Sequence, residues 1–112
     1  MKRLVLLASF VSVLLFAATA ARAAEASENW AKNCASCHGK DGAGHTKAGK
    51  MVGAKDLTDA AYQKSFADDQ AFTELKDGMK GSDGKVKMRP FAEKLADADL
   101  KALVAYVRSL QK

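Results

Sequence analysis

The clearest hydrophobic pattern in the sequence lies near its C-terminal end. Apolar residues recur there every three or four positions, the spacing of one helical face, at Leu100, Leu103, Val104, Val107 and Leu110. Asp97 precedes them as a candidate N-cap, and Arg108 and Lys112 stand where positive charge stabilises a helix C-terminus. The pattern predicts a C-terminal helix with one apolar face.

Three shorter helices are predicted before it. Residues 25–33 form the first, whose shared face carries Ala26, Trp30 and Cys34. Thr58 or Asp59 caps a second helix that runs to residue 65. Asp68 caps a third, which Gly78 ends.

The remaining segments are predicted as loops. Residues 38–55 and 78–91 are rich in glycine and polar side chains. No segment shows the alternation of apolar and polar residues that is typical of a half-buried strand. We therefore expect an all-α domain with helices at both ends.

The N-terminal segment has the order of a secretory signal peptide. Lys2 and Arg3 precede an apolar run over residues 4–18, and small residues follow in an A-x-A-like arrangement. We expect cleavage after Ala23, although Ala20 fits the pattern as well. This gives a signal peptide at 1–23, a mature domain at 24–112, a periplasmic product and no stable membrane insertion. An uncleaved anchor is the alternative, because the run approaches the ~20 residues that span a bilayer.

Charge and length restrict the functions to be considered. Removing Lys2, Arg3 and Arg22 from the 18 basic residues leaves 15 against 13 acidic ones, so the net charge falls from +5 to +2. This balance gives no sign of nucleic-acid binding. A mature domain of about 90 residues buries a modest core, and two cysteines form no disulfide framework. We therefore expect a cofactor or metal to stabilise the fold.

Both cysteines and both histidines lie in one stretch, NCASCHGKDGAGH, at residues 33–45. A C-x-x-C pair serves thiol–disulfide exchange, zinc binding or covalent haem attachment. The first chemistry needs a helix start within a βαβ unit, and no strands are predicted here. Zinc needs four ligands, but the adjacent Cys37 and His38 are poorly placed to converge on one tetrahedral ion.

The order C-x-x-C-H favours covalent attachment of haem c. Cys34 and Cys37 stand at i and i+3, so both face one side of a helical turn and reach vinyl groups along one haem edge. His38 follows one step further round, where its imidazole reaches the iron as the proximal ligand. Export agrees with this interpretation, because the attachment is made outside the bacterial cytoplasm.

The sequence resembles the small bacterial class I c-type cytochromes over essentially the whole mature chain. The segments that carry the resemblance are Ala26, Trp30, CASCHGKDGAG (34–44), DLTD (56–59), MRPF (88–91) and LADADLKALVAYVRSL (95–110). It implies a cytochrome c fold, with a few helices wrapped around one covalently bound haem and the N- and C-terminal helices crossing. Trp30 would then pack against the helix face that carries Tyr106 and Val107. The further haem-pocket residues that it implies are Leu57, Phe91 and Leu95.

The candidates for the second axial ligand of the iron are Met51, Met79, Met88 and His45. His45 follows His38 by only seven residues, a loop too short to reach the other haem face easily. Met51 and Met79 also fit the ordinary role of methionine as apolar filling. Met88 lies far downstream, before Pro90, in a segment that matches the methionine loop of the resembled family. We predict Met88 as the distal ligand and Met79 as the next choice.

The chain departs from the family pattern at two places. Arg89 stands between the methionine and the proline, which are usually adjacent. Many relatives also have a proline after the attachment motif whose carbonyl accepts a hydrogen bond from the proximal histidine. This chain has GKMVGAKD at 49–56 and a single proline in total, so the partner of His38 is not assigned.

Ligation by histidine and methionine closes the iron and raises its reduction potential, which predicts a one-electron carrier rather than an enzyme. The partners are then redox proteins. The alternatives are an enzyme or gas sensor with an open iron, and a haem subunit of a larger dehydrogenase or oxidase.

Positive charge is concentrated in the segment that carries Met88. The basic residues are Lys80, Lys85, Lys87 and Arg89, diluted by Asp77 and Asp83. They form either a solvated loop or a basic rim that steers docking to an acidic surface of a partner.

Overall fold

The computed structural model describes the backbone of residues 2–112 and the side chains of residues 14–112. The elements, in chain order, are α1 (Lys2–Asn33), α2 (Ala35–His38), α3 (Lys47–Val52), α4 (Ala60–Gln63), α5 (Asp68–Asp77), β1 (Met79–Lys80), β2 (Val86–Met88) and α6 (Asp97–Ser109). The two strands pair antiparallel and are 2 and 3 residues long. The predicted all-α class is therefore confirmed, with one small hairpin added.

The first and last helices pack against each other, as the resemblance implied. The predicted face of α1 is buried at Ala26 and Trp30, and α6 buries Leu100, Leu103 and Val104. The rings of Trp30 and Tyr106 lie 5.3 Å apart, and Val107 packs against the same buried cluster. The apolar stripe read from the sequence is therefore the buried face of α6, and its members Leu103, Val107 and Leu110 belong to the cluster around Trp30.

Helix α1 extends further towards the N-terminus than the short helix predicted at 25–33. It continues without a break through the expected cleavage site at Ala23, and residues 14–25 are exposed. Residues 1–13, which hold the start of the predicted signal peptide, lie outside the residues whose side chains are described. Within the described part of the chain, no helix combines the length and the apolar character needed to cross a membrane.

The predicted helix caps are partly confirmed. Asp59 caps α4, because its Oδ1 accepts a hydrogen bond from the backbone N–H of Ala61 at 2.8 Å. Asp68 and Asp97 were predicted as caps, but they are the first residues inside α5 and α6. Their carboxylates still favour these helix starts, because the N-terminal end of a helix carries partial positive charge.

Two segments predicted as loops contain regular structure. Helix α3 lies within 38–55, where the Thr46 hydroxyl caps it by accepting from the N–H of Gly49 at 2.9 Å. The hairpin β1–β2 lies within 78–91. Its strands are too short to show a two-residue alternation in the sequence, so the pattern missed them.

Candidate haem-binding site

The C-x-x-C-H motif forms a single helical turn at the end of α1. The Cys34 N–H donates to the Trp30 carbonyl at 2.9 Å, and the His38 N–H donates to the Cys34 carbonyl at 2.9 Å. Gly39 then turns the chain with φ +82°, and its buried carbonyl accepts from Trp30 Nε1 at 3.1 Å. The turn places both thiols, which are not joined in a disulfide, on the wall of one cavity.

This cavity has a volume of about 370 Å³, within the range of roughly 300–1,000 Å³ that is usual for ligand sites. Its apolar and aromatic lining includes Trp30, Val52, Leu57, Tyr62, Phe66, Leu75, Phe91 and Val107. Cys34, Cys37 and His38 also line it, together with Met79 and Met88. It therefore brings two thiols, one imidazole and two thioethers into one apolar enclosure.

The structure separates the four candidates for the second axial ligand. Met88 and Met79 line the cavity, with Met88 half-buried and Met79 39% exposed. Met51 is 77% exposed and His45 is exposed, and neither lines the cavity.

The pocket residues that the resemblance implied are mostly in place. Leu57 and Phe91 line the cavity, whereas Leu95 packs against the neighbouring buried cluster instead. Sequence reasoning missed Tyr62 and Phe66, whose rings lie 5.4 Å apart on the wall. Their segment carries no periodic signal long enough to mark them as pocket residues.

Burial shifts the pKa of two groups in the attachment motif, Cys34 and His38. It raises the pKa of Cys34 to about 11, with a smaller contribution from the neighbouring Cys37. A disulfide oxidoreductase lowers the pKa of its reactive cysteine, so Cys34 has the opposite character. Burial also lowers the pKa of His38, which favours the neutral imidazole that binds iron.

His38 is packed but not fully paired. Its ring centroid lies 5.6 Å from that of Trp30, while its buried Nδ1 has no hydrogen-bond partner. A histidine that binds a metal through one ring nitrogen usually pairs the other with the protein, so the hydrogen-bond partner of His38 stays unassigned here, and the fit to haem rests on the two thiols and the imidazole that line one cavity. The residues present therefore fit a covalently attached haem.

Helix α3 packs closely against the C-x-x-C-H turn. The Thr46 hydroxyl donates to the Cys37 carbonyl at 2.6 Å while capping α3. A Cβ on Gly49 would lie 2.7 Å from the Gly44 carbonyl oxygen and closer still to that of Cys37. Gly49 therefore allows α3 to approach the attachment turn.

The hairpin and the end of α5 hold the segment that carries Met88. Met88 stands opposite Met79 in the antiparallel register, so the two side chains share one face. Beyond Pro90, the N–H of Phe91 donates to the Leu75 carbonyl at 3.0 Å. These contacts fix the segment even though Arg89 separates the methionine from the proline.

Gly78 lies where α5 meets this segment, which leads to a testable prediction. It has φ +77°, and a Cβ there would lie 2.7 Å from the Met88 carbonyl oxygen. We expect Gly78→Ala to displace Met88 and to cost about 1–3 kcal/mol of unfolding free energy through backbone strain, plus the clash. Urea unfolding and the oxidised absorbance spectrum of the haem-loaded protein measure both effects.

Gly84→Ala is the matched control for this prediction. Gly84 has nearly the same φ, +76°, but no atom lies within 4 Å of a Cβ placed there. It should lose stability through strain alone and keep the wild-type spectrum. Equal spectral changes in the two variants would contradict the proposed role of Gly78.

Charged side chains also line the cavity. We define the basic rim as the exposed cavity-lining residues Lys55, Lys80, Lys87 and Arg89. Lys85, which the sequence grouped with them, does not line the cavity, and Lys55 joins from a distant loop. Glu74 adds one half-buried carboxylate to the same wall.

Comparisons with known proteins identify the family of this chain. Residues 23–111 match the family described as cytochrome c. Cytochrome c-553 from Nitratidesulfovibrio vulgaris (strain DSM 19637 / Miyazaki F) is 30% identical over 119 residues, covering 98% of this chain and 100% of that protein. Among solved structures, the KustC0563 c-type cytochrome has a TM-score of 0.67 and 32% identity, covering 77% of this chain and 96% of that one. A mutant of the same protein gives a TM-score of 0.66 at 31% identity, covering 78% and 99%.

Proposed function

Because the chain belongs to the cytochrome c family and carries haem c, we propose that Cys34 and Cys37 form its thioether bonds and that His38 and Met88 are its axial iron ligands. The observation that carries this assignment is the shared cavity, which all four side chains line. The C-x-x-C-H order supplies the chemical reason for the first three.

The choice of Met88 over Met79 rests on burial and support. Met88 is the less exposed of the two, and the backbone after it is anchored to α5 through Phe91 and Leu75. A thioether ligand must stay on the iron in both oxidation states, which favours the better-held side chain. Met79 is then a neighbouring side chain that lines the same part of the cavity as Met88 without binding the iron.

The family match supports a c-type haem electron carrier. The haem iron supplies a reversible one-electron change between its ferrous and ferric states. The chain contributes a neutral imidazole at His38, a thioether at Met88 and an apolar wall that limits water, all of which raise the reduction potential. We propose that it passes single electrons between redox proteins and transforms no substrate.

Carbon monoxide tests this function against an enzyme or sensor with an open iron. A firmly six-coordinate ferrous protein should leave its spectrum unchanged under carbon monoxide, whereas an open iron binds the gas at once. Rapid and complete binding by the purified protein would contradict the carrier proposal. Purification from native membranes and periplasm tests the other alternative, because a haem subunit would elute with a larger dehydrogenase or oxidase.

We also propose that residues 1–23 are a signal peptide and that residues 24–112 act in the periplasm. Residues 14–23 are all exposed, with Leu14, Leu15 and Phe16 at 66%, 64% and 79%, which supports the removal of this part of the chain without loss of the core. The intact mass of the haem-loaded protein from the periplasmic fraction should match a chain that begins at Ala24. Full-length chain recovered only from membranes would overturn this proposal.

The basic rim is proposed as the docking surface for an acidic partner. We expect the bimolecular electron-transfer rate to fall by about tenfold or more between about 0.01 M and 1 M salt, because the screening length shrinks from ~30 Å to ~3 Å. Stopped-flow mixing with the isolated partner measures this dependence.

Two variants with the same change in net charge test whether the docking surface lies at the basic rim. Lys87 lines the cavity, whereas Lys94 is exposed outside it. Lys87→Glu should lower the low-salt rate and weaken its salt dependence, and Lys94→Glu should have little effect. Equal effects of the two substitutions would mean that net charge, rather than the rim, controls the rate.

A further inference from the structure

Gln63 is the one polar side chain that is fully buried among the residues whose side chains are described, with 2% of its surface exposed. It lies at the end of α4. Its Nε2 donates to the Leu57 carbonyl at 2.7 Å and to the Val107 carbonyl at 2.8 Å. Its Oε1 accepts from the Arg108 guanidinium at 2.9 Å. The amide is therefore fully paired, and it joins three separate segments.

Arg108 continues this network from α6. Its guanidinium also donates to the backbone carbonyls of Gln63 and Phe66, the latter at 2.8 Å, and to Asp68 Oδ1 at 2.7 Å. Its Cζ lies 4.3 Å from the centre of the Phe66 ring. The planar guanidinium holds its N–H donors in a fixed forked arrangement, so it bonds to several acceptors at once. A lysine ammonium group cannot do this in the same geometry.

The backbone groups held in this way belong to residues that line the cavity. Leu57, Phe66 and Val107 each accept through their carbonyls and present their side chains to the cavity wall. Tyr62, next to Gln63 in α4, completes that wall. Neither Gln63 nor Arg108 lines the cavity, so both act on it through other residues.

We propose that Gln63 and Arg108 are positioning residues that hold this wall closed against water and so keep the reduction potential high. Burial in an apolar wall disfavours the more highly charged ferric state, and burial is one of the means by which a protein sets a haem potential. The proposal rests on the placement of the haem in this cavity. Opening the wall by loss of the network should therefore favour the ferric state.

Two substitutions that conserve charge test the proposal in the haem-loaded protein. Gln63→Met keeps the length of a neutral side chain but removes all three side-chain hydrogen bonds. Arg108→Lys keeps the positive charge but loses the fork. We expect a lower reduction potential by spectroelectrochemical titration in both variants, with the larger fall in Gln63→Met. Neither fall can be attributed to a change in net charge.

Two controls separate positioning from general stability. Leu100→Val trims a side chain that is 0% exposed but does not line the cavity, so it should lower the unfolding midpoint and leave the potential unchanged. Asp68→Asn removes the outer ion pair, whose carboxylate is 68% exposed, together with one negative charge at the start of α5, and should lower stability slightly but also leave the potential unchanged.

An unchanged potential in Gln63→Met, or an equal fall in Leu100→Val, would overturn the proposal. If Gln63→Met does not load haem, Arg108→Lys takes its place in the test, and an unchanged reduction potential in that variant would overturn the proposal. The oxidised spectrum reports the proposed axial ligands separately. A wild-type protein without a thioether–iron charge-transfer band would refute the placement of Met88, whatever the potentials of the variants.

Discussion

Met88→Ala removes the thioether–iron charge-transfer band from the red end of the oxidised spectrum and lowers the reduction potential. The thioether is a soft ligand that favours ferrous iron, and alanine supplies none. We expect a fall on the order of 0.1 V, within the roughly 0.8 V over which axial ligands set haem potentials. The same variant should bind carbon monoxide readily, because one side of the iron is open. Optical titration of the purified protein measures all three effects.

The other methionines provide the controls for this prediction. Met51 is 77% exposed and lies outside the cavity, so Met51→Ala should match the wild type. Met79 faces the cavity beside Met88, and Met79→Ala should keep the band while changing the packing around it. If Met79→Ala loses the band and Met88→Ala keeps it, the two methionines exchange roles and our assignment is wrong.

The double variant Cys34→Ala/Cys37→Ala loses covalent haem. We expect its haem to be extracted completely by acidified organic solvent, whereas wild-type haem stays with the polypeptide, because thioether bonds survive denaturation. Each single variant should retain one attachment. Cys34→Ala should be less stable than Cys37→Ala by about 1 kcal/mol, since Cys34 also belongs to the buried cluster and loses packing there.

Ser36→Ala is the control within the same motif. Ser36 lies between the two cysteines and is exposed, so its replacement changes the motif without removing a thiol. Its haem should resist extraction as fully as that of the wild type. Haem that stays bound to the double variant through denaturation would place the attachment on other residues.

The segment that holds Met88 shows how a local sequence signal can be replaced by tertiary contacts. The sequence lacks the proline that directly follows the methionine in the resembled family, so no local signal explains how this segment is held. In the structure, β1 pairs with it, Gly78 allows α5 to approach, and Phe91 bonds to the Leu75 carbonyl. None of these contacts has a sequence pattern, because each joins residues that are separated along the chain.

Helix α3 was missed for a related reason. Glycine weakens an isolated helix by about 1 kcal/mol, so a segment that contains Gly49 reads as a loop. The structure needs glycine there because the Cys37 and Gly44 carbonyls leave no room for a Cβ. The tertiary contact therefore explains both the residue and the failure of the local prediction.

The sequence alone was sufficient for the helical class, the buried faces of α1 and α6, and the prediction of haem c from the order C-x-x-C-H. These depend on short-range spacing, since residues three or four apart share a helix face whatever the rest of the chain does. Tertiary structure decided which methionines reach the cavity, brought Lys55 to the basic rim and joined Gln63 to Arg108. These contacts depend on how distant segments pack together, and the spacing of residues along the chain carries no record of that packing.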